Sequence, residues 1–181
     1  MTNKIFFDTD CLSAFLWVRK ENLLLKLYDK RIILPKQVYI ELSHPRIPQL
    51  KSRIDSLKQS GNIIVESIEM NTTEYHLYYK LINKPENWFK VIGKGEAAAI
   101  ALAKVRSGIL ASNNMKDIQG YVQKYKLEHI TTGSILCNAL KQGYITEEEG
   151  NNIWTNMLAK RRLLPCNSFT EYLSNYKSPQ S

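Results

Sequence analysis

Four carboxylates in this sequence, Asp8, Glu41, Glu96 and Asp117, fall where an α/β chain can gather them for chemistry. Asp8 closes the apolar run Ile5-Phe6-Phe7, and Asp117 follows the run Ile109-Leu110-Ala111. Glu41 lies in the helical stretch after a second short apolar run, and Glu96 opens an Ala-rich helical stretch. In a parallel sheet the C-terminal ends of the strands and the helix starts just beyond them share one edge, where ligands bind. Carboxylates brought to that edge repel one another, so some protonate unless a cation is present. Mg²⁺ or Mn²⁺ suits such oxygen donors and keeps several waters, so one or two direct ligands suffice while other acids act through water. A metal-bound water is a usable nucleophile, and the ion also neutralises charge on a phosphodiester.

Each acid has an ordinary explanation too. An Asp after a strand is commonly a helix N-cap, Glu41 and Glu96 suit solvated helix positions, and Asp117 suits a helix N-terminus. Between Asp8 and Asp10, the sequence makes Asp10 the better cap and leaves Asp8 the ligand role. The equivalent topological placement of all four acids weighs against the ordinary explanations.

The elements that must position these residues follow from the hydrophobic pattern. Ile5 to Phe7, Arg31 to Leu34, Ile63 to Val65, Gly108 to Ala111 and His129-Ile130 read as short buried strands. Between them, Leu12, Phe15, Leu16, Leu23, Leu24 and Leu27 recur at helical spacing and predict one helix from Leu12 to Leu27. Pro35 suits the first position of the next helix, Pro45 and Pro48 break that helix, and Gly61 ends the one after. Asn71 to Glu74 has capping-box spacing and opens a helix to about Asn83. Further helices are predicted over the Ala-rich stretch and from Asn113 to Lys126. Three helices close the chain, two announced by capping boxes at Thr146 to Glu149 and Ser168 to Glu171. This alternation predicts an α/β fold with a mainly parallel sheet flanked by helices. All 181 residues are expected to form a single domain, with the C-terminal helices of 146–177 packed on it.

Lys and Arg outnumber Asp and Glu by 25 to 17, a net charge of +8, which favours an anionic partner. Cys11, Cys137 and Cys166 are far apart, without the spacing of a disulfide framework or zinc site. An acidic residue interrupts the apolar start almost at once, and no run approaches the ~18 apolar residues of a membrane span. The expectation is a soluble, cytoplasmic protein with no membrane partner.

Trp88, Phe89, Lys90 and Lys94 lie just before Glu96, and aromatics beside cations suit stacking on unpaired bases with phosphate contacts. The alternative is that Trp88 and Phe89 pin the loop to the core. Lys116, beside Asp117, joins Lys90, Lys94 and Trp88 as a nucleic-acid contact. Gly93-Lys94-Gly95-Glu96 lacks the Gly-Lys-Ser/Thr ending of a phosphate-binding loop; its glycines let a helix start approach the sheet. A Cys/His pair drawn from Cys11 with His44, His76 or His129 is a weaker candidate than a buried structural thiol. Tyr75, Tyr78 and Tyr79 suit core packing or a subunit interface, and Lys160-Arg161-Arg162 suits a helix C-terminus.

Phe7-Asp8-Thr9-Asp10, Val38-Tyr39-Ile40-Glu41-Leu42, Gly93-Lys94-Gly95-Glu96-Ala97-Ala98-Ala99-Ile100-Ala101-Leu102-Ala103 and the Asn114-x-x-Asp117 segment after Ile109-Leu110-Ala111 resemble PIN-domain motifs, in the proper order. The last is similar to a segment of VapC-type toxins, which are PIN-domain ribonucleases. Thr132 to Leu136 and Lys141 to Ile145 resemble the same bacterial branch, so the resemblance covers nearly the whole chain. It implies a metal-dependent endoribonuclease, the toxin of a toxin–antitoxin pair, with RNA as substrate, an antitoxin protein as partner and a homodimer as assembly. It assigns the Mg²⁺ or Mn²⁺ to Asp8, Glu41, Glu96 and Asp117, with Asn114 orienting a water or the scissile phosphate. Two departures stand out. Asp10 adds a fifth carboxylate, and Asn113-Asn114 replaces an Asp pair common in the family. Two further readings are a PIN-like RNA-binding domain whose site has decayed at these Asn residues, and a protein-interaction module with a basic surface.

Overall fold

The computed structural model describes residues 3–83, 85 and 89–176. Among them, β1 (Ile5–Phe7), β2 (Ile32–Pro35), β3 (Ile64–Glu66), β4 (Ile109–Ala111) and β5 (Glu128–Ile130) form one sheet in the order β3-β2-β1-β4-β5. Every pairing is parallel, with Ile5 abreast of both Ile32 and Ile109. Alternation along the strands sends side chains to two cores. Ile5, Phe7, Ile32, Leu34, Ile109 and Ala111 enter one, while Phe6, Ile33 and Leu110 enter the other. Strands covered on both faces need apolar residues at successive positions, which is why the central runs β1, β2 and β4 carry no polar alternation, whereas the half-buried edge strands β3 and β5 admit Glu66, Glu128 and His129.

The first core is covered by α1 (Thr9–Trp17), α2 (Glu21–Tyr28), α3 (Lys36–Leu42), α4 (Pro48–Gln59), α8 (Thr132–Lys141), α9 (Glu147–Ala159) and α10 (Phe169–Asn175). The second is covered by α5 (Thr73–Asn83), α6 (Lys94–Val105) and α7 (Met115–Tyr125). The closing helices bury Ile153, Trp154, Met157 and Phe169 in the first core alongside α1. Trp154 Nε1 donates to the Cys166 carbonyl at 2.9 Å, satisfying the one polar atom of a buried indole.

Three local expectations need correction. The helix from Leu12 to Leu27 is two, because Arg19 takes a left-handed backbone (φ 59°) that ends α1. The apolar spacing survives because both pieces face the same core. Pro35 ends β2 in extended geometry (ψ 141°), and α3 starts at Lys36. Thr72, not Asn71, caps α5. Its hydroxyl accepts the Tyr75 N–H at 3.2 Å, while Asn71 is left-handed (φ 63°).

The chain leaves β1 towards β2 on one side, whereas β4 leads to β5 on the other. Adjacent strands with diverging connections open a cleft at their C-terminal ends. Asp8 and the segment Ser112 to Asn114 emerge there, side by side. The Asp8 N–H donates to the Ala111 carbonyl at 2.9 Å. Among the described residues, no helix is long and apolar enough to cross a membrane.

Candidate functional site

Asp8 is the N-cap of α1. Its Oδ1 accepts the Cys11 N–H at 2.8 Å. The expectation that Asp10 would cap is therefore corrected: helical geometry begins at Thr9, which puts Asp10 in the first turn, exposed. Capping uses only one oxygen of Asp8. Its Oδ2 is buried with no hydrogen-bond partner, and so is Ser112 Oγ. Burial pushes the Asp8 carboxyl up to about 7. The neighbouring Ser112 hydroxyl opposes this as a would-be donor, although it makes no hydrogen bond of regular geometry to the carboxylate, and the Cys11 N–H opposes it too. The charges of Asp10 and Glu96 push it up further. A buried oxygen left without a donor costs free energy unless something is supplied to it.

Glu96 sits in the first turn of α6. Its Oε2 accepts the Gly93 N–H at 3.2 Å and its Oε1 accepts Asn114 Nδ2 at 2.7 Å. Burial raises its pKa, the Asn114 and Gly93 donors lower it, and Asp10 and Asp117 raise it. The same Asn114 Nδ2 donates to Asp117 Oδ2 at 3.0 Å, and Lys90 Nζ lies 2.9 Å from Asp117 Oδ1. Lys90, then Asn114, hold the Asp117 pKa below its usual value. Asn114 thus bridges two acids with a neutral amide, and Lys90, expected to meet phosphate, pairs with an acid of the site.

Glu41 is engaged at both oxygens. The Thr9 hydroxyl donates to Oε2 and the Gly95 N–H donates to Oε1 at 3.1 Å. Only glycine admits this: a Cβ on Gly95 would lie 2.8 Å from Glu41 Oε2 and 2.9 Å from Thr9 Oγ1. Glu41 therefore ties the start of α6 to the start of α1, the two helix ends that carry Glu96 and Asp8.

Among the described residues, no three His, Cys, Asp or Glu side chains close into a ready-made metal cage. What fits a cation is smaller: the orphaned, buried Oδ2 of Asp8, with Glu96, Asn114 and Asp117 linked beside it. All are hard oxygen donors, and an ion that keeps most of its waters needs no more than one or two of them directly.

Asn113 and Asn114 diverge. Asn113 Nδ2 donates to Thr132 Oγ1 at 2.8 Å and its Oδ1 accepts the Thr132 N–H at 2.8 Å, so it locks the end of β4 to the start of α8. Lys94 and Lys116 are exposed. Trp88 lies outside the described residues. Phe89 stacks on Tyr121 with ring centroids 4.7 Å apart, over Gly120, so it pins the loop. The Cys11 thiol is fully buried, pushed well above its usual pKa by burial and by Asp8, and accepts from Thr132 Oγ1 at 3.7 Å. His129 Nε2 is 2.9 Å from the Ser112 carbonyl oxygen. Neither is set up as a nucleophilic pair. Sequence reasoning missed Thr9, Ser112 and the specific demand at Gly95; the Gly-x-Gly-Glu spacing was the one sign of the last.

Over residues 4–178 the chain matches a family model described as a PIN domain. No curated protein matches it. Among solved structures, it is similar to DNA-bound VapBC from Salmonella typhimurium, at 13% identity and TM-score 0.52, over 73% of this chain and 99% of that one. FitAB bound to a DNA fragment (17% identity, TM-score 0.48, 71% and 94%) and FitAcB from Neisseria gonorrhoeae (17%, 0.47, 70% and 96%) also match. At 13% identity the likeness to VapBC speaks to the fold alone.

Proposed function

This chain belongs to the PIN domain family, and we propose that it is a divalent-metal-dependent endoribonuclease, the toxin component of a toxin–antitoxin pair. PIN domains are generally nucleases and typically use divalent metals. The observation that carries the reading here is Asp8 Oδ2, buried without a partner where the connections of β1 and β4 diverge, with the linked carboxylates of Glu96 and Asp117 alongside.

Mg²⁺ or Mn²⁺ held there would supply an activated water and neutralise charge on the phosphodiester. In this proposal Asp8, Glu96 and Asp117 would hold the ion, directly or through its waters. Asn114 orients the water or the scissile phosphate. Glu41 keeps α1 and α6 in register through Thr9 and Gly95, and with a lone pair left on each oxygen it would join the other acids around the ion. Lys90, Lys94 and Lys116, with Trp88, contact the nucleic acid; the net charge of +8 supports a polyanionic substrate. All 181 residues are taken as one PIN-like domain, supported by the burial of α9 and α10 in the first core. An antitoxin protein partner, a homodimer and a cytoplasmic setting belong to the same proposal, with the fold likeness to VapBC in support.

The purified protein should cleave single-stranded RNA with Mg²⁺ or Mn²⁺ and stop with EDTA. Asp8→Asn should lose most activity while its melting temperature holds or rises. Full activity in Asp8→Asn overturns the assignment. A second reading, an RNA-binding domain with a decayed site, is favoured by the neutral Asn114 bridge between Glu96 and Asp117. Salt-sensitive RNA binding without cleavage at any Mn²⁺ concentration would establish it in place of the first.

A further inference from the structure

Beside the acids lies a cleft of about 440 Å³, lined by Asp10, Asn114, Lys116, Leu163, Leu164 and Tyr172 among others. Its size falls within the roughly 300–1,000 Å³ of pockets that hold small organic ligands. One rim is shared with the candidate site, since Asn114 faces both Glu96 and this cleft. The opposite walls are apolar. Leu163, in the loop between α9 and α10, lines the cleft and is 81% exposed, so its side chain is open to an incoming ligand. Tyr172 is fixed: its ring lies so close over Gly133 that a Cβ there would sit 2.4 Å from it, and its hydroxyl is 3.3 Å from Thr131 Oγ1. Lys116 adds a cation and Asp10 an acceptor-only carboxylate at the edge.

We propose that this cleft is a nucleoside subsite, which receives the unpaired base next to the phosphodiester held at the Asp8 edge. The inference rests on the nuclease reading for the position of that phosphate. It draws on three features of the cleft for its occupant. Apolar and aromatic walls suit the faces of a splayed-out base, and such bases are how single-stranded RNA is commonly recognised. Lys116 complements an adjoining phosphate. Asp10 accepts from base N–H groups, which gives the fifth carboxylate a task other than the ion. Asn114 lines the cleft and also donates to Glu96, so the cleft adjoins the acids.

The test reads binding without turnover. Isotope-labelled wild-type protein is titrated with each of the four nucleoside 5′-monophosphates, and with ribose 5-phosphate, while backbone amide shifts are followed. Nucleotides should shift residues 115–116, 163–164 and 172 saturably, with ribose 5-phosphate at least about tenfold weaker, because it lacks the base that the apolar walls bury. Leu163→Glu, at an exposed position that leaves the core intact, should weaken nucleotide binding about tenfold. Equal binding of ribose 5-phosphate and nucleotides, shifts confined to other surfaces, or unchanged binding by Leu163→Glu overturns the proposal. So does a cleft that ignores nucleotides and responds only to a peptide partner. A protein that binds nucleotides here yet cleaves no RNA supports the subsite while overturning the ribonuclease reading.

Discussion

Asn114 Nδ2 donates to Glu96 Oε1 across 2.7 Å, so a neutral amide from the end of β4 satisfies a carboxylate at the start of α6. Because the same nitrogen also serves Asp117 at 3.0 Å, one residue holds two like charges together. Exchanging it for a carboxylate removes the donor and adds a third charge. Asn114→Asp should therefore melt several degrees lower than wild type in EDTA, and should bind Mn²⁺ about tenfold more tightly, since ligand charge tunes cation affinity. Thermal denaturation and titration calorimetry check both. Weaker Mn²⁺ binding by Asn114→Asp would mean this position does not face the ion.

Lys90 occupies the other side of Asp117, with its ammonium 2.9 Å from Oδ1 and largely exposed. An exposed pair of this kind adds little to stability, so Lys90→Met should melt within a degree or two of wild type. Its effects should appear in ligand binding. Freed from its internal cation, Asp117 should let Mn²⁺ bind severalfold more tightly. RNA affinity should fall, with the log–log salt slope shallower by roughly 0.7 for one lost phosphate contact. An unchanged slope would leave Lys90 as Asp117's partner alone.

The central strands were legible because they are brief, wholly apolar and bounded by clear turn residues, and β1 and β4 fall where that pattern puts them. The outer strands β3 and β5, expected to be buried, carry Glu66, Glu128 and His129 and are only partly so, because each has a neighbouring strand on one side alone. Helix breaks without glycine or proline were not: Arg19 ends α1 by a left-handed backbone that no local residue type announces. The acids were legible as a set, but their separate tasks were not. Asp8 and Asp10 are both good caps, and only the helix phase decides between them. Asn113 and Asn114 are neighbours with identical chemistry, yet one locks β4 to α8 and the other bridges acids. Glu41 needs Thr9 and Gly95, contacts 32 and 54 positions away in sequence that no local pattern reveals.

Asp8 should make stability depend on pH. Its carboxyl titrates at about 7 when folded, against an ordinary 3.8. Between those values the folded protein keeps a proton that the unfolded chain has released, so stability falls as pH rises through the window and levels off above about 7. Asn keeps the cap through its carbonyl and does not titrate. Asp8→Asn should match wild type near pH 4 and exceed it at pH 8, with a ceiling of ~4 kcal/mol for a shift of about three units. Added Mg²⁺ should narrow the gap at pH 8 by stabilising wild type alone. Parallel pH profiles for the two proteins would contradict the burial argument.

Gly95→Ala tests the seat of Glu41. The new methyl group would lie 2.8 Å from Glu41 Oε2, so the carboxylate must move. Overpacking of this kind costs about 1–3 kcal/mol. In a Glu41→Ala background only the Thr9 hydroxyl, 2.9 Å from the new Cβ, still has to shift, so the cost of Gly95→Ala should fall well below its value beside Glu41, helped by up to ~1 kcal/mol because Ala favours a helix over Gly. A double-mutant cycle on denaturant unfolding reads the difference. Additive effects would show that Glu41 and Gly95 do not depend on each other.

The claim at the centre of this account is that Asp8, Glu96 and Asp117 form a divalent-cation site at the C-terminal edge of β1 and β4. Anomalous diffraction from crystals soaked in Mn²⁺ tests it most directly. The account predicts a peak bound to Asp8 Oδ2, with Glu96 and Asp117 within direct or water-bridged reach and the Asn114–Glu96 hydrogen bond rearranged. Soaked crystals with no peak at Asp8, or with Mn²⁺ bound only at other carboxylates, would contradict it.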